Sequence, residues 1–190
     1  MAVKDFILAS SSPQRRALLT QIGYEPKQIR PVDIDESELL DELPLPYIRR
    51  IARAKALTAA KLNPGENVLC ADTIIVVGQK IIRKSSDAEA QRKVMKLLSG
   101  RTHRVITSVC FVDKNAKLSQ KTITTKIMMK HLTDNEIEEY LASKEWVGVA
   151  GYKIEGLLQG YVKRIVGSYS SVIGLPLYET KNILNGAGIK

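Results

Sequence analysis

Val-Leu-Cys-Ala-Asp-Thr-Ile-Ile-Val-Val, residues 68–77, is the stretch on which the fold turns. Its residues are mostly β-branched or aliphatic with no helical period, so it reads as a strand buried on both faces. Such a strand needs covering layers, and its neighbours supply them. Upstream, residues 46–62 place Ile48, Ile51, Ala52, Ala56, Ala59 and Leu62 at helical spacing, closed by Asn63-Pro64-Gly65. Downstream, Gly78-Gln79-Lys80 turns the chain and Ile81-Ile82 pairs back.

The pattern continues outward in both directions. Residues 6–9 form a short strand, Ser10-Ser11-Ser12 a tight polar loop, and the next residues a helix. Ser12 is its N-cap, Pro13 its first helical residue, and Gly23 lies just past its end. A helix follows Ser86, which forms a capping box with Glu89. Ala90, Val94, Leu97 and Leu98 are on its inner face and Gly100 is its stop. Strands follow at 104–112 and 117–129, the second partly alternating and so wet on one face. Thr133 and Glu136 cap a short helix running to Leu141. Six glycines in 146–175 suggest strands and turns, and a last helix starts at Pro176 and ends near Gly186. Strands interleaved with helices, with no repeat and no linker, indicate one α/β unit over residues 1–190, with a mixed twisted sheet and flanking helices.

A chain of 190 residues buries about 70% of its unfolded surface, so neither disulfides nor a structural metal are required for a core. With 44% apolar and 26% charged residues, disordered and collagen-like classes are excluded. No apolar run approaches the roughly 18 residues of a membrane span. The first residues also lack the basic start of a secretion signal, so a soluble, cytoplasmic protein is expected. Cys70 and Cys110 sit inside apolar runs and read as small buried hydrophobes of a reducing compartment. Lys and Arg outnumber Asp and Glu by 29 to 20, a net charge of +9. That excess favours polyanions: nucleic acid, a membrane surface or a phosphorylated small molecule. Charge placement has to choose between them.

Asp72 interrupts the apolar run, and an acid held in low dielectric must be paired, metal-bound or protonated. Lys55 falls in the middle of the helical apolar stripe, where a lysine either snorkels to the edge or meets an anion; taken alone, snorkelling is the commoner outcome. The Ser10-Ser11-Ser12 loop leads into a helix N-terminus, with Arg15 and Arg16 adding fixed cations: a fair phosphate cradle, though also the look of any capped helix. Residues 78–85, GQKIIRKS, imitate a P-loop but put Arg83 in place of its second glycine, so they fit a hairpin return strand better and leave Lys84 as a cation near a strand end. Asp33 and Asp35 read as a solvated loop, whereas Glu36 beside Asp72 and several cations would suit Mg²⁺ with a triphosphate. His103 and His131 have no ligand partners at zinc spacing. Aromatics at 5% are poor material for base-stacking platforms, and no nucleic-acid-binding signature is present, so no specific nucleic acid is expected.

The runs LASSSPQRRALL, DIDES, ARAKA, ADTIIVVGQKIIRK, LSGRTHRVIT, AGYKIEG and GSYSSVIGLPL, in this order from residue 8 to 177, resemble the Maf (septum-formation) nucleoside triphosphate pyrophosphatases. The resemblance implies a mixed α/β fold of two lobes around a deep cleft, related to the inosine triphosphatase-like enzymes. It implies metal-dependent hydrolysis, with Mg²⁺ or Mn²⁺, of a nucleoside triphosphate to monophosphate and pyrophosphate, as in nucleotide house-cleaning, and a possible homodimer. Through it Asp72 and Glu36 are expected as catalytic and metal-holding carboxylates. Lys55 and Lys84 are expected as catalytic cations and, with Ser10, Ser12 and Arg15, around the phosphates, and Gln14, Thr73 and Glu155 at substrate-specificity positions. Three positions depart from the pattern: Ser85 where proline is usual, Ser108 where glycine is usual, and Gln14 where arginine or tryptophan is usual. The set Gln14–Thr73–Glu155 therefore fits neither the dTTP/UTP subgroup nor the 7-methyl-GTP subgroup. Glu155 can accept from both donors of a guanine edge, whereas a pyrimidine imide would prefer an amide there; Thr73 leans the other way, and the base stays open. A nucleotide- or nucleic-acid-binding regulator of cell division without turnover is the alternative.

Overall fold

The structure, a computed structural model, describes residues 3–190. Its strands are β1 (Val3–Leu8), β2 (Glu25–Ile29), β3 (Val68–Val77), β4 (Lys80–Ile82), β5 (Thr102–Val112), β6 (Leu118–Met129) and β7 (Val162–Val166). They form one seven-stranded sheet in the order β2-β1-β3-β5-β6-β7, with β4 paired to β3. The β1–β2 and β1–β3 pairs are parallel and the rest antiparallel, so the sheet is mixed. Parallel neighbours need crossovers, which α1 (Pro13–Gln21) and α2 (Pro44–Leu62) provide.

β3 has the bounds its composition predicts because both of its faces are covered. On one face, Cys70 and Cys110 pack beneath Ala52, Ala56 and Ala59 of α2. Burial pushes their thiols up to about 11 and about 12, so they stay protonated and inert. On the other face, Leu69, Ala71 and Val109 pack with Leu18 and Leu19 of α1 and Leu184 of α6 (Leu177–Gly186). A further core joins α3 (Ala88–Leu98) and α4 (Asp134–Ser143) to the β5–β6 end through Met95, Leu98, Val105, Ile127, Ile137 and Tyr140. Among the described residues no helix is long and apolar enough to cross a membrane.

The site is positioned by a gap in the ladder. β1 pairs with β3 only at Val68 and Leu69, and β4 joins it only from Ile75. On its other edge β3 is paired with β5 from Val68 to Val76. Residues 70–74 therefore have a strand neighbour on one side only, and from Asp72 onward the unpaired edge lines a cleft.

Several local expectations are corrected. α2 starts two residues earlier, at Pro44, and Leu62 is exposed, so the buried stripe ends at Ala59. The cap of α3 is Asp87, whose carboxylate accepts from Ala90 N–H at 2.8 Å, while Ser86 donates to Asp87. A carboxylate is the stronger acceptor at the positive end of a helix. Gln91, Met95 and Leu98 are the buried residues of α3, with Val94 and Leu97 packed at the margin. Residues 146–175 hold, besides β7, a 3-10 turn (Leu157–Tyr161) and a short helix α5 (Tyr169–Ile173) capped by Ser168.

His103 of β5 is 2% exposed, with Nε2 2.5 Å from Tyr152 Oη and Nδ1 buried without a partner. Burial lowers its pKa from 6.5 to about 4. The unfolded chain therefore takes up this proton first as pH falls. Stability present above pH 6.5 should be lost between 6.5 and 4, by about 3 kcal/mol in all. Thermal melts across that range should show the decline and His103→Gln should flatten it; an unchanged slope would assign the decline to other groups.

Candidate active site

A cleft of about 890 Å³ opens at the gap beside β3, within the roughly 300–1,000 Å³ typical of small-molecule sites. Ser10, Ser12, Gln14, Arg15, Glu36, Lys55, Asp72, Thr73, Lys84 and Glu155 all line it. Residues remote in sequence thus meet because the β1–α1 loop, the segment after β2, α2, β3, the chain after β4 and the 148–155 segment converge on one unpaired strand edge.

Asp72 is not sealed inside the sheet as its apolar flanks suggest: 18% of its side chain is exposed, because the β3 edge opens onto the cleft there. Its Oδ1 accepts from the Thr73 N–H at 3.0 Å and lies 3.9 Å from the Arg15 guanidinium. Its Oδ2 accepts from Lys55 Nζ at 3.0 Å, and the same ammonium is 2.5 Å from Glu36 Oε1. Lys55 therefore does not snorkel; it bridges two carboxylates. Burial disfavours its charge, but Asp72 and Glu36 outweigh that cost and its pKa is raised.

The start of α1 forms a second wall. Ser12 Oγ accepts from Arg15 N–H at 3.4 Å and donates to Gln14 Oε1 at 3.3 Å. Arg15 is held by Ser10 Oγ and the Gly174 carbonyl, each at 2.9 Å, which fixes its free edge toward Asp72. Arg16 points away and pairs with Glu25 at 2.7 Å, so the cradle has one arginine, not two. Asp35 accepts from Ser37 in an exposed turn, as a solvated loop should, but Asp33 lines the cleft.

On the opposite wall, Lys84 is exposed and its backbone bridges to Ala150. The imitation P-loop is a hairpin return, with Arg83 reaching Glu38 and donating to Tyr47 Oη at 2.8 Å. Ser85, at a departure position, donates to Gln91 Oε1 at 2.7 Å, and Gln91 Nε2 donates to the Gly151 carbonyl at 2.6 Å. Gly151 has φ +73°, and a Cβ there would lie 2.8 Å from Ile75 Cδ1. Gly151→Ala should cost about 1–3 kcal/mol and displace this wall. A melting temperature lowered together with weaker nucleotide binding checks this; an unchanged melt would contradict it.

Thr107 donates to the Ser171 carbonyl at 2.7 Å, so the 2.9 Å contact between Thr73 and Thr107 hydroxyls has Thr73 as donor. Thr73 then presents only lone pairs to the cleft. Sequence reasoning missed Lys153, Arg83, Tyr47 and Tyr152, which also line it. A signal for Lys153 existed: it alternates with Glu155 around Ile154, in an otherwise apolar and glycine-rich segment.

A family model described as Maf-like protein matches residues 5–187. The dTTP/UTP pyrophosphatase of Paramagnetospirillum magneticum is 44% identical over 183 residues, which cover 96% of this chain and 96% of that protein. That of Rhodospirillum rubrum is 44% identical, covering 97% of this chain and 88% of that one. That of Rhodopseudomonas palustris (strain BisB18) is 45% identical, covering 96% and 92%. Since both kinds of match run through every segment that forms the cleft, the chain belongs to the Maf family.

Proposed function

We propose that this chain is a nucleoside triphosphate pyrophosphatase that hydrolyses UTP and dTTP to the monophosphate and pyrophosphate. The observation that carries this reading is the Lys55 ammonium shared by Asp72 and Glu36 on an open strand edge, ringed by Arg15 and Lys84. The names of the relatives support the choice of substrate. Asp72 orients the attacking water and takes its proton. Arg15, Lys55 and Lys84 take up the charge that develops on the leaving pyrophosphate, and the N-terminus of α1 with Ser12 and Gln14 receives phosphate oxygens. Thr73 and Glu155 face the base.

The donor set fits a hard divalent cation. Among the described residues no group of three or more His, Cys, Asp or Glu could hold an ion by protein ligands alone. Mg²⁺ commonly takes one or two carboxylates and completes its shell with substrate phosphates and water. Asp72 and Glu36 are the two that would hold it, and when bound it supplies Lewis-acid polarisation of the α–β linkage. The free, buried thiols support action in a reducing compartment such as the cytoplasm.

The test is incubation of the protein with UTP, dTTP, CTP and ATP in Mg²⁺ with product analysis. Release of pyrophosphate and UMP from UTP is expected. Release of orthophosphate and UDP, or no turnover of any triphosphate, would overturn the reading.

A further inference from the structure

Of the three specificity positions, Gln14 is tied to Ser12 at the start of α1, where the phosphates are received, and the remaining two present a chemical imbalance. The Glu155 carboxylate is acceptor-only and Thr73 has committed its proton, so both offer lone pairs. A uracil or thymine edge offers acceptor, donor, acceptor, and its carbonyls need a donor on the protein. Lys153 is placed to be one. It lines the cleft two residues before Glu155, between Tyr152 and Ile154, which are 6% and 1% exposed. With its neighbours turned into the core, residues 153 and 155 both reach the cleft. The segment is anchored by the contacts of Gln91 with Gly151 and of Tyr152 with His103, so Lys153 stands on a fixed backbone. It is half-buried, yet among the described residues it shares no ion pair with any carboxylate, Glu155 included. With its stem covered and its ammonium unpaired at the cleft, Lys153 is free to donate to an acceptor that a ligand brings.

We propose that Lys153 is a specificity residue which, with Glu155, reads a ring carbonyl and its adjacent N–H. Lys153 donates to the carbonyl and Glu155 accepts from the N–H, so the two together replace the donor and acceptor of a single amide. This rests on the pyrophosphatase reading above. Uracil and thymine are the pyrimidine sources of that edge and guanine is the purine source. Cytosine opposes a donor to Lys153 and an acceptor to Glu155, and is rejected on both counts.

The experiment compares kcat/KM for UTP, dTTP, GTP and CTP in the wild type, Lys153→Met, Lys153→Gln and the double variant Lys153→Met/Glu155→Gln. Calorimetric binding of UTP and CTP without divalent metal runs in parallel. The wild type should prefer UTP to CTP by about 100-fold or more. Lys153→Met should lower UTP and dTTP turnover by about 10- to 100-fold and leave CTP unchanged. Lys153→Gln, which keeps an N–H donor, should hold most of the preference, and the double variant should recover it to within about tenfold, since the amide restores both partners. GTP turnover that falls in step with UTP assigns the same edge to a purine and supports the proposal. Equal losses for UTP and CTP would make Lys153 a general phosphate cation and overturn it, as would a double variant no better than Lys153→Met. Should the wild type turn over no triphosphate, the pyrophosphatase reading fails. The UTP-to-CTP binding ratio in the same variants then still decides the role of Lys153.

Discussion

Asp72→Asn lowers kcat for UTP by about 100-fold or more, with KM unchanged or reduced; this is the largest effect expected of any single change in the cleft. The substitution keeps the side chain's shape but removes the base and one negative charge. Arg15 keeps its bonds to Ser10 and Gly174, and Lys55 keeps Glu36, so neither cation is stranded. The folding transition should therefore stay close to that of the wild type. Nucleotide binding should hold or tighten, because one negative charge fewer stands beside a tetra-anionic ligand. Such a split between kcat and KM marks a group that acts in the transition state, not in ground-state binding. A kcat within threefold of the wild type would remove Asp72 from the chemistry.

Lys55→Met comes second, with kcat/KM for UTP reduced about 100-fold. Methionine matches the lysine stem in length and sits between Ala52 and Ala59 on a helix whose inner face is already apolar, so packing is not the casualty. The loss is electrostatic. Without the ammonium, Asp72 and Glu36 face one another with nothing between them, and the leaving pyrophosphate loses a cation. Removing one partner of an ion pair leaves the other charge uncompensated, but Asp72 keeps Arg15 and the exposed Glu36 keeps water, so the variant should fold with a melting temperature lowered by several degrees. Unfolding at ambient temperature would recast Lys55 as a structural tie. Near wild-type turnover in a folded variant would exclude it from the reaction.

What the sequence discloses about this molecule follows from which interactions are local. The bounds of β3 and the caps of α1 and α4 are legible because burial on both faces, Ser12-Pro13 and the Thr133–Glu136 box each act within a few residues. The setting of Asp72 is not legible, since it depends on where β1 stops pairing and β4 begins, a matter of strand lengths far apart in sequence. For the same reason Lys55 is conspicuous in its apolar stripe, yet taken alone it reads as snorkelling; its partners Glu36 and Asp72 are remote in sequence, and only the fold brings the three together. Arg15 and Arg16 are indistinguishable as neighbours in sequence, yet helix rotation sends one to Asp72 and the other to Glu25. The 146–175 region is the least legible, because six glycines signal permissive backbone without saying which way the residues between them point.

Hydrolysis of UTP in ¹⁸O-enriched water is the most direct test of the central claim, that water held at Asp72 attacks the α-phosphorus and expels pyrophosphate. Mass spectrometry should find one ¹⁸O atom in UMP and none in pyrophosphate; label in the pyrophosphate, or UDP and labelled orthophosphate as products, would contradict the account.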